Sequence, residues 1–148
     1  MQDIAGEEKM KQKVLILCTG NSNRSQMAEG VLRHYGSSRY EVFSAGTLPS
    51  SVNPVAIQVM KEIGIDISGH RSKHVDEFKG QTFDYVITVC DNAKASCPFF
   101  PGPTKRLHWE FPDPPHGETV TESVVAEFRK VRDRIHEKFK TAAEKGFE

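Results

Sequence analysis

Short apolar runs alternate with longer amphipathic stretches along most of this chain. Residues 14–17, 40–44 and 85–89 are rich in β-branched or aromatic side chains, which is typical of strands. A weaker strand is predicted at residues 106–108. Strands that alternate with helices indicate βαβ units. We therefore predict an α/β fold: a single domain with a four-stranded parallel sheet and helices on both faces.

The amphipathic stretches place apolar residues at intervals of three and four, as helices do. The first is predicted to end at Gly36, a candidate C-cap. The second begins at Asn53 and Pro54, an N-cap followed by a proline in the first turn. The last keeps one apolar stripe, and Thr119 with Glu122 forms a predicted capping box at its start.

Composition narrows the class of protein. The chain has 148 residues, of which 37% are hydrophobic, enough for one compact domain over residues 13–148 behind a flexible tail, residues 1–12. Twenty basic and twenty acidic residues give zero formal charge, which argues against a nucleic-acid or membrane-binding surface. The N-terminus is charged and no stretch has the length of a membrane span, so we expect a cytoplasmic protein. We also expect it to be a monomer.

The segment from Cys18 to Ser25 reads Cys-Thr-Gly-Asn-Ser-Asn-Arg-Ser and lies between the first strand and the first helix. In that position the backbone N–H groups and the helix dipole converge on one point, where a tetrahedral oxyanion can bind. Arg24 adds a rigid guanidinium that contacts two oxygens at once. We expect the same field to lower the pKa of Cys18, the candidate nucleophile. The predicted substrate-binding residues are Thr19, Gly20, Asn21, Ser22, Asn23, Arg24 and Ser25.

Two further cysteines follow the third strand. Cys90 closes that strand, so it belongs at the same sheet edge as Cys18. Cys97 comes after a small, polar segment with little apolar surface to hold it in place. In a reducing compartment all three are expected to be thiols, since their number is odd and too small for a disulfide scaffold. This layout predicts a thiol relay and a loop that moves with redox state.

Together these residues resemble the thioredoxin-coupled arsenate reductases, which share the fold of the low-molecular-weight protein tyrosine phosphatases. The resemblance covers almost the whole chain after the tail. It is carried by residues 18–30, by Ser44-Ala-Gly46, by Asn53-Pro54, by Cys90 and by Cys97-Pro98, and by His108-Trp109 ahead of Asp113-Pro114.

The resemblance implies a reaction. Cys18 would attack arsenate, Cys90 would attack Cys18 and release arsenite, and Cys97 would attack Cys90. Thioredoxin would then reduce the Cys90–Cys97 disulfide, and no organic cofactor or metal would be needed. Asp113 would be the general acid, while Asn21 and Ser25 would support the loop and the thiolate.

Three positions depart from the family pattern. Asn23 stands where relatives often carry a cysteine, which leaves Cys90 as the thiol that resolves Cys18. Lys73 stands where some relatives have an acidic side chain that helps to bind potassium, so no potassium site is predicted. Pro115 and His116 replace the aromatic residues of tyrosine phosphatases, which argues against an aryl phosphate substrate.

Other interpretations stay open at this point. A phosphatase of the same fold would hydrolyse a phosphocysteine with Cys18, Arg24 and Asp113 alone. A sensor would signal through its disulfide state without turnover. The second and third cysteines could be structurally inert, or they could bind zinc together with His108.

Overall fold

The sheet has four parallel strands in the spatial order β2-β1-β3-β4. A computed structural model describes residues 11–90, 100–115 and 119–147. The strands are β1 (Gln12–Cys18), β2 (Tyr40–Gly46), β3 (Tyr85–Thr88) and β4 (Lys105–His108). All four predicted strands are present, and β1 reaches one residue into the region predicted as tail.

Three α-helices and one 3₁₀ helix lie between and after these strands in the described part of the chain. They are α1 (Arg24–Gly36), α2 (Pro54–Glu62), the 3₁₀ helix Val75–Phe78 and α3 (Glu122–Lys145). Asn53 caps α2 as predicted, because its side chain accepts a hydrogen bond from the Val55 N–H at 2.8 Å.

Two details of the helix ends differ from prediction. The N-cap of α3 is Thr121, whose hydroxyl accepts from the Val124 N–H at 3.2 Å, so the capping box predicted at Thr119 is wrong. Gly36 does end α1, yet Ser37, the residue after it, keeps helical angles. The glycine permits close packing instead, since a Cβ there would lie 3.1 Å from the Cβ of Ala143.

The strands β1, β2 and β3 are largely buried between two layers, whereas no residue of the edge strand β4 is fully buried. The helices α1, α2 and α3 pack against one another. The buried Arg132 guanidinium of α3 donates to the Val59 carbonyl and to the Glu62 carboxylate, both in α2. Side chains alternate across a strand, so Tyr40 and Phe43 of β2 face opposite layers. Phe43 contacts Phe78 of the 3₁₀ helix, which helps to cover the second face. The predicted α/β class with helical elements on both faces is confirmed.

The carboxyl ends of the strands form one edge of this sheet. Cys18 pairs with Gly46 there, and Val89, one residue beyond β3, donates its N–H to Leu17 of β1. Cys90 therefore follows β3 directly beside the end of β1, as the sequence predicted. Within the described ranges, no helix is both long and apolar enough to cross a membrane.

Candidate active site

Residues 18–25, here called the cradle, run from the end of β1 into the first turn of α1. Four of their carbonyl groups are turned outward, toward a neighbouring segment of the chain. Those of residues 18, 19, 20 and 22 accept hydrogen bonds from backbone N–H groups in the segment 47–53, at 2.8 to 3.4 Å. Across a planar peptide unit the C=O and the N–H point in opposite directions. The outward carbonyls thus turn the cradle N–H groups inward, which is the geometry of an anion site.

A cavity of about 400 Å³ opens over the cradle. Five of the seven predicted substrate-binding residues line it, together with the predicted nucleophile and general acid and with a second wall from the segment 47–53. The lining residues are Cys18, Thr19, Gly20, Ser22, Asn23, Arg24, Leu48, Ser50 and Asp113. The other two predicted residues, Asn21 and Ser25, are fully buried behind the cavity.

Asn21 holds the shape of the loop. Its backbone has φ 48°, a left-handed conformation that few residues other than glycine adopt. Its side-chain amide donates to the hydroxyls of Ser25 and Ser44, both at 2.9 Å, while its carbonyl oxygen accepts from Gln26 and from the Lys73 N–H. Four bonds to three parts of the chain, α1, β2 and the segment before the 3₁₀ helix, fix one side chain, so the tight turn is held by its surroundings.

Gly46 allows this turn to lie against the end of β2. A Cβ at this position would lie 2.5 Å from the Thr19 carbonyl oxygen and 2.8 Å from the Asn21 nitrogen. Real Cβ atoms do not approach backbone atoms so closely, and backbone atoms cannot swing away as a flexible side chain does. The Ser44-Ala-Gly46 segment was noted in the sequence without a role, and the role is to support the cradle.

Arg24 reaches across the cavity to the loop that follows β4. One terminal nitrogen donates to the Phe111 carbonyl at 3.1 Å, and the other lies 3.4 Å from the Asp113 carboxylate. The side chain of Asp113 is 47% exposed, whereas that of Arg24 is only 10% exposed. The structure brings the predicted nucleophile, guanidinium and acid to one cavity.

Cys18 and Cys90 lie side by side. Both are buried, and their thiols are in hydrogen-bonding contact. The Cys90 sulfur also lies 3.3 Å from the hydroxyl oxygen of Thr19, so the second thiol is hydrogen-bonded to a residue of the cradle. Cys97 lies outside the described residues, and so does the segment predicted to move.

The contact between the thiols changes the expected acidity. The Cys90 thiol and burial raise the pKa of Cys18, while the Arg24 charge and the Ser25 N–H act in the opposite direction. The predicted lowering of the Cys18 pKa is therefore wrong for the reduced pair. Sequence reasoning counted the helix and the arginine but could not place a second thiol against the first.

Sequence reasoning also missed a layer of side chains behind the cradle. Glu29 is buried, accepts a hydrogen bond from Ser44 and pairs with Arg33 at 3.0 Å. Gln26 donates to two atoms of Asn21 and to the carbonyl of Arg71, and Ser72 donates to the Gly20 carbonyl. No local signal separates these residues from the ordinary polar residues of a helix and a loop.

Lys73 and His108, which the sequence analysis considered in connection with metal ions, both bond to protein groups. The ammonium group of Lys73 donates to the Arg71 carbonyl at 2.8 Å, and burial lowers its pKa. His108 lies 2.7 Å from the Thr88 hydroxyl oxygen, measured from its Nδ1. Among the residues that the structure describes, no group of three or more histidine, cysteine or acidic side chains could hold a metal ion.

The fold and the site define an α/β protein with a cysteine at the centre of an oxyanion loop. The model of the low molecular weight phosphotyrosine protein phosphatase family matches residues 13–145, and the chain belongs to this family.

The similar proteins include several arsenate reductases. An arsenate reductase of Halalkalibacterium halodurans is 46% identical over 136 residues, which are 92% of this chain and 98% of the relative. A solved arsenate reductase in the oxidized state has a TM-score of 0.74 at 33% identity, and the match covers 90% of this chain and 98% of that one. A thioredoxin-dependent arsenate reductase of Corynebacterium glutamicum has a TM-score of 0.62 at 29% identity, covering 95% of this chain and 70% of that one.

Proposed function

We propose that this protein reduces arsenate to arsenite through a relay of three cysteines and that thioredoxin restores the thiols. The observation that carries the proposal is the contact between two buried thiols inside an oxyanion cradle. A phosphatase needs one thiol there. A second thiol in contact with the first is what a two-electron reduction requires, because the electrons must come from a pair of sulfurs.

The first step takes place in the cavity above the cradle, between Cys18, Arg24 and Asp113. The Cys18 thiolate attacks arsenic, an As–O bond breaks, and the departing oxygen takes a proton from Asp113. Arg24 and the inward N–H groups stabilise the negative charge on the remaining oxygens. The product of this step is an arsenic(V) thioester on Cys18.

The second step is the reduction. The Cys90 thiolate attacks the Cys18 sulfur, a disulfide forms, and the S–As bond breaks with its electron pair left on arsenic, which leaves as arsenite. Contact between the two sulfurs supports this step, since little movement is needed to form the disulfide.

The remaining steps carry the oxidation away from the cradle. The Cys97 thiolate attacks Cys90 and releases Cys18, and thioredoxin reduces the Cys90–Cys97 disulfide. Support for this partner comes from the Corynebacterium glutamicum relative, which is thioredoxin-dependent. The proposal places the protein in a reducing compartment, the cytoplasm, as a monomer.

The test is arsenate-dependent oxidation of NADPH in the presence of thioredoxin and its reductase, measured on wild type and on the Cys18→Ser, Cys90→Ser and Cys97→Ser variants. Each variant is expected to lose multiple turnover, and Cys90→Ser should retain any hydrolysis of a phosphomonoester. Wild-type rates of arsenate reduction by Cys90→Ser and Cys97→Ser would contradict the relay. Arsenite formed only in amounts equal to the protein would support a sensor instead.

A further inference from the structure

The side chain of Asn23 does not have the role that its position at the start of α1 would give it. It is the N-cap residue of α1, where an asparagine side chain normally accepts a hydrogen bond from the first turn. Its side chain makes no such bond, although the residue is only 4% exposed. A buried asparagine that does not cap its helix needs another explanation.

The unpaired atom is the side-chain carbonyl oxygen. In the part of the chain that the structure describes, only two buried side-chain polar atoms have no hydrogen-bond partner, Oδ1 of Asn23 and Nε of Arg24. They belong to consecutive residues, and both residues line the cavity above Cys18. Buried polar groups are almost always paired, so two adjacent exceptions in one cavity indicate a ligand that pairs with both.

The two atoms have opposite requirements. Arg24 Nε–H is a donor and needs an oxygen, whereas Asn23 Oδ1 is an acceptor and needs an O–H or N–H. A tetrahedral oxyanion that carries one proton supplies both groups. Arsenate and phosphate are such anions as dianions near neutral pH, while sulfate has the same shape and charge without the proton.

We infer that Asn23 is a specificity-determining residue, which accepts a hydrogen bond from the O–H group of a singly protonated tetrahedral oxyanion. This inference rests on the proposed function and adds the protonation state of its substrate. Sulfate is disfavoured because one of its oxygens would face the lone pairs of Asn23 Oδ1, a contact that leaves both groups unpaired.

Asp113 is the other side chain of the cavity that carries a carbonyl-type acceptor. It lies at the open side of the site, about half exposed, and its carboxylate already pairs with Arg24 at 3.4 Å. Asn23 is only 4% exposed, so a hydrogen bond to its acceptor is screened less by bulk water than one to the half-exposed Asp113, and the acceptor of Asn23 is the more selective of the two. The experiment separates the two residues.

The experiment is calorimetric titration of phosphate, sulfate and monofluorophosphate into the reduced protein near neutral pH at constant ionic strength. Monofluorophosphate is a dianion of similar size that lacks the O–H group. Wild type is expected to bind phosphate roughly tenfold more tightly than either of the other two, the usual effect of one hydrogen bond in a buried site. In Asn23→Ala this preference should disappear, mainly through weaker binding of phosphate.

Ser38→Ala, an exposed serine that does not line the cavity, is the control and should keep the wild-type preference. Equal binding of the three anions by wild type, or a preference that persists in Asn23→Ala but is lost in Asp113→Asn, would overturn the inference. Should Asn23→Ala not fold, the comparison of phosphate with monofluorophosphate on wild type and on Asp113→Asn still decides, because a preference that Asp113→Asn keeps does not come from Asp113. A protein that binds none of the anions would instead contradict the proposed function.

Discussion

The two sides of the cradle follow opposite rules of hydrogen bonding. On the back, defined by Asn21, Gln26, Glu29 and Ser44, the bonds of each side chain go to neighbouring protein groups. On the front, at Asn23 and Arg24, buried polar atoms have no partner among the described residues. Hydrogen bonds behind the loop therefore hold it rigid, and the polar atoms left unpaired at the front are available to a ligand.

The largest expected effect, on both stability and turnover, comes from a substitution at Gly46, which lies against the cradle at the end of β2. In Gly46→Ala the new Cβ must displace the backbone of Thr19 or Asn21, which lie 2.5 and 2.8 Å away. We expect a loss of about 1–3 kcal/mol in the free energy of unfolding, and a fall of roughly a hundredfold in kcat/KM for arsenate, because the N–H groups no longer converge. Denaturant unfolding and the coupled assay measure the two effects.

Gly69→Ala is the matched control for that change. A Cβ at Gly69 meets nothing within 4 Å, so both quantities should stay near their wild-type values. Wild-type turnover in Gly46→Ala would show that the cradle tolerates movement of its backbone, and the distinction between a rigid back and a receptive front would be lost.

A smaller effect on turnover is expected from Ser44→Ala, which removes one hydroxyl from the back. Asn21 loses an acceptor for its amide and Glu29 loses a donor to its carboxylate. Leaving buried groups unpaired costs about 1–3 kcal/mol, which should appear in the free energy of unfolding. Turnover should fall by less than in Gly46→Ala, since three other bonds still hold Asn21.

The exposed Ser38→Ala is the control for loss of a hydroxyl. If Ser44→Ala is as stable as this control, the bonds behind the cradle contribute nothing to its rigidity.

The smallest effect concerns the front and its dependence on pH. Contact with the Cys90 thiol is the main factor that raises the pKa of Cys18, so Cys90→Ser should lower that pKa. At a given pH below the wild-type pKa a larger fraction of Cys18 is then thiolate, and alkylation by iodoacetamide should be several-fold faster. Mass spectrometry of the peptide that contains Cys18, across a pH series, measures this change.

Both proteins should be compared in a Cys97→Ala background, so that the third thiol does not consume the reagent. A pH profile of Cys18 that is identical with and without Cys90 would contradict the coupling of the two thiols.

The sequence predicted the cradle well because its signal is contiguous. Cys18, Arg24 and the small residues between them lie within one loop, and the flanking strand and helix are evident from local pattern. Asp113 and Cys90 were found through the resemblance and through the rule that strand ends meet at one sheet edge. The roles proposed for these residues still await the cysteine variants and the binding experiment.

The missed features depend on residues that are distant along the chain. Nothing local distinguishes Glu29 from other acidic residues on a helix, or Ser44 from other strand serines, until β2 brings them together behind Asn21. The cap of α3 was misplaced for a different reason: Thr119 and Thr121 both fit the local preference, and only the backbone path decides between them.

By itself the sequence determined the α/β class, the four strands and the loop that holds Cys18, because periodicity and turn chemistry act over a few residues. Only the tertiary structure decided which polar atoms are paired and which remain for a ligand, and it alone set the acidity of Cys18. Hydrogen bonding, burial and the distance between two thiols depend on how residues that are distant along the chain are arranged in three dimensions.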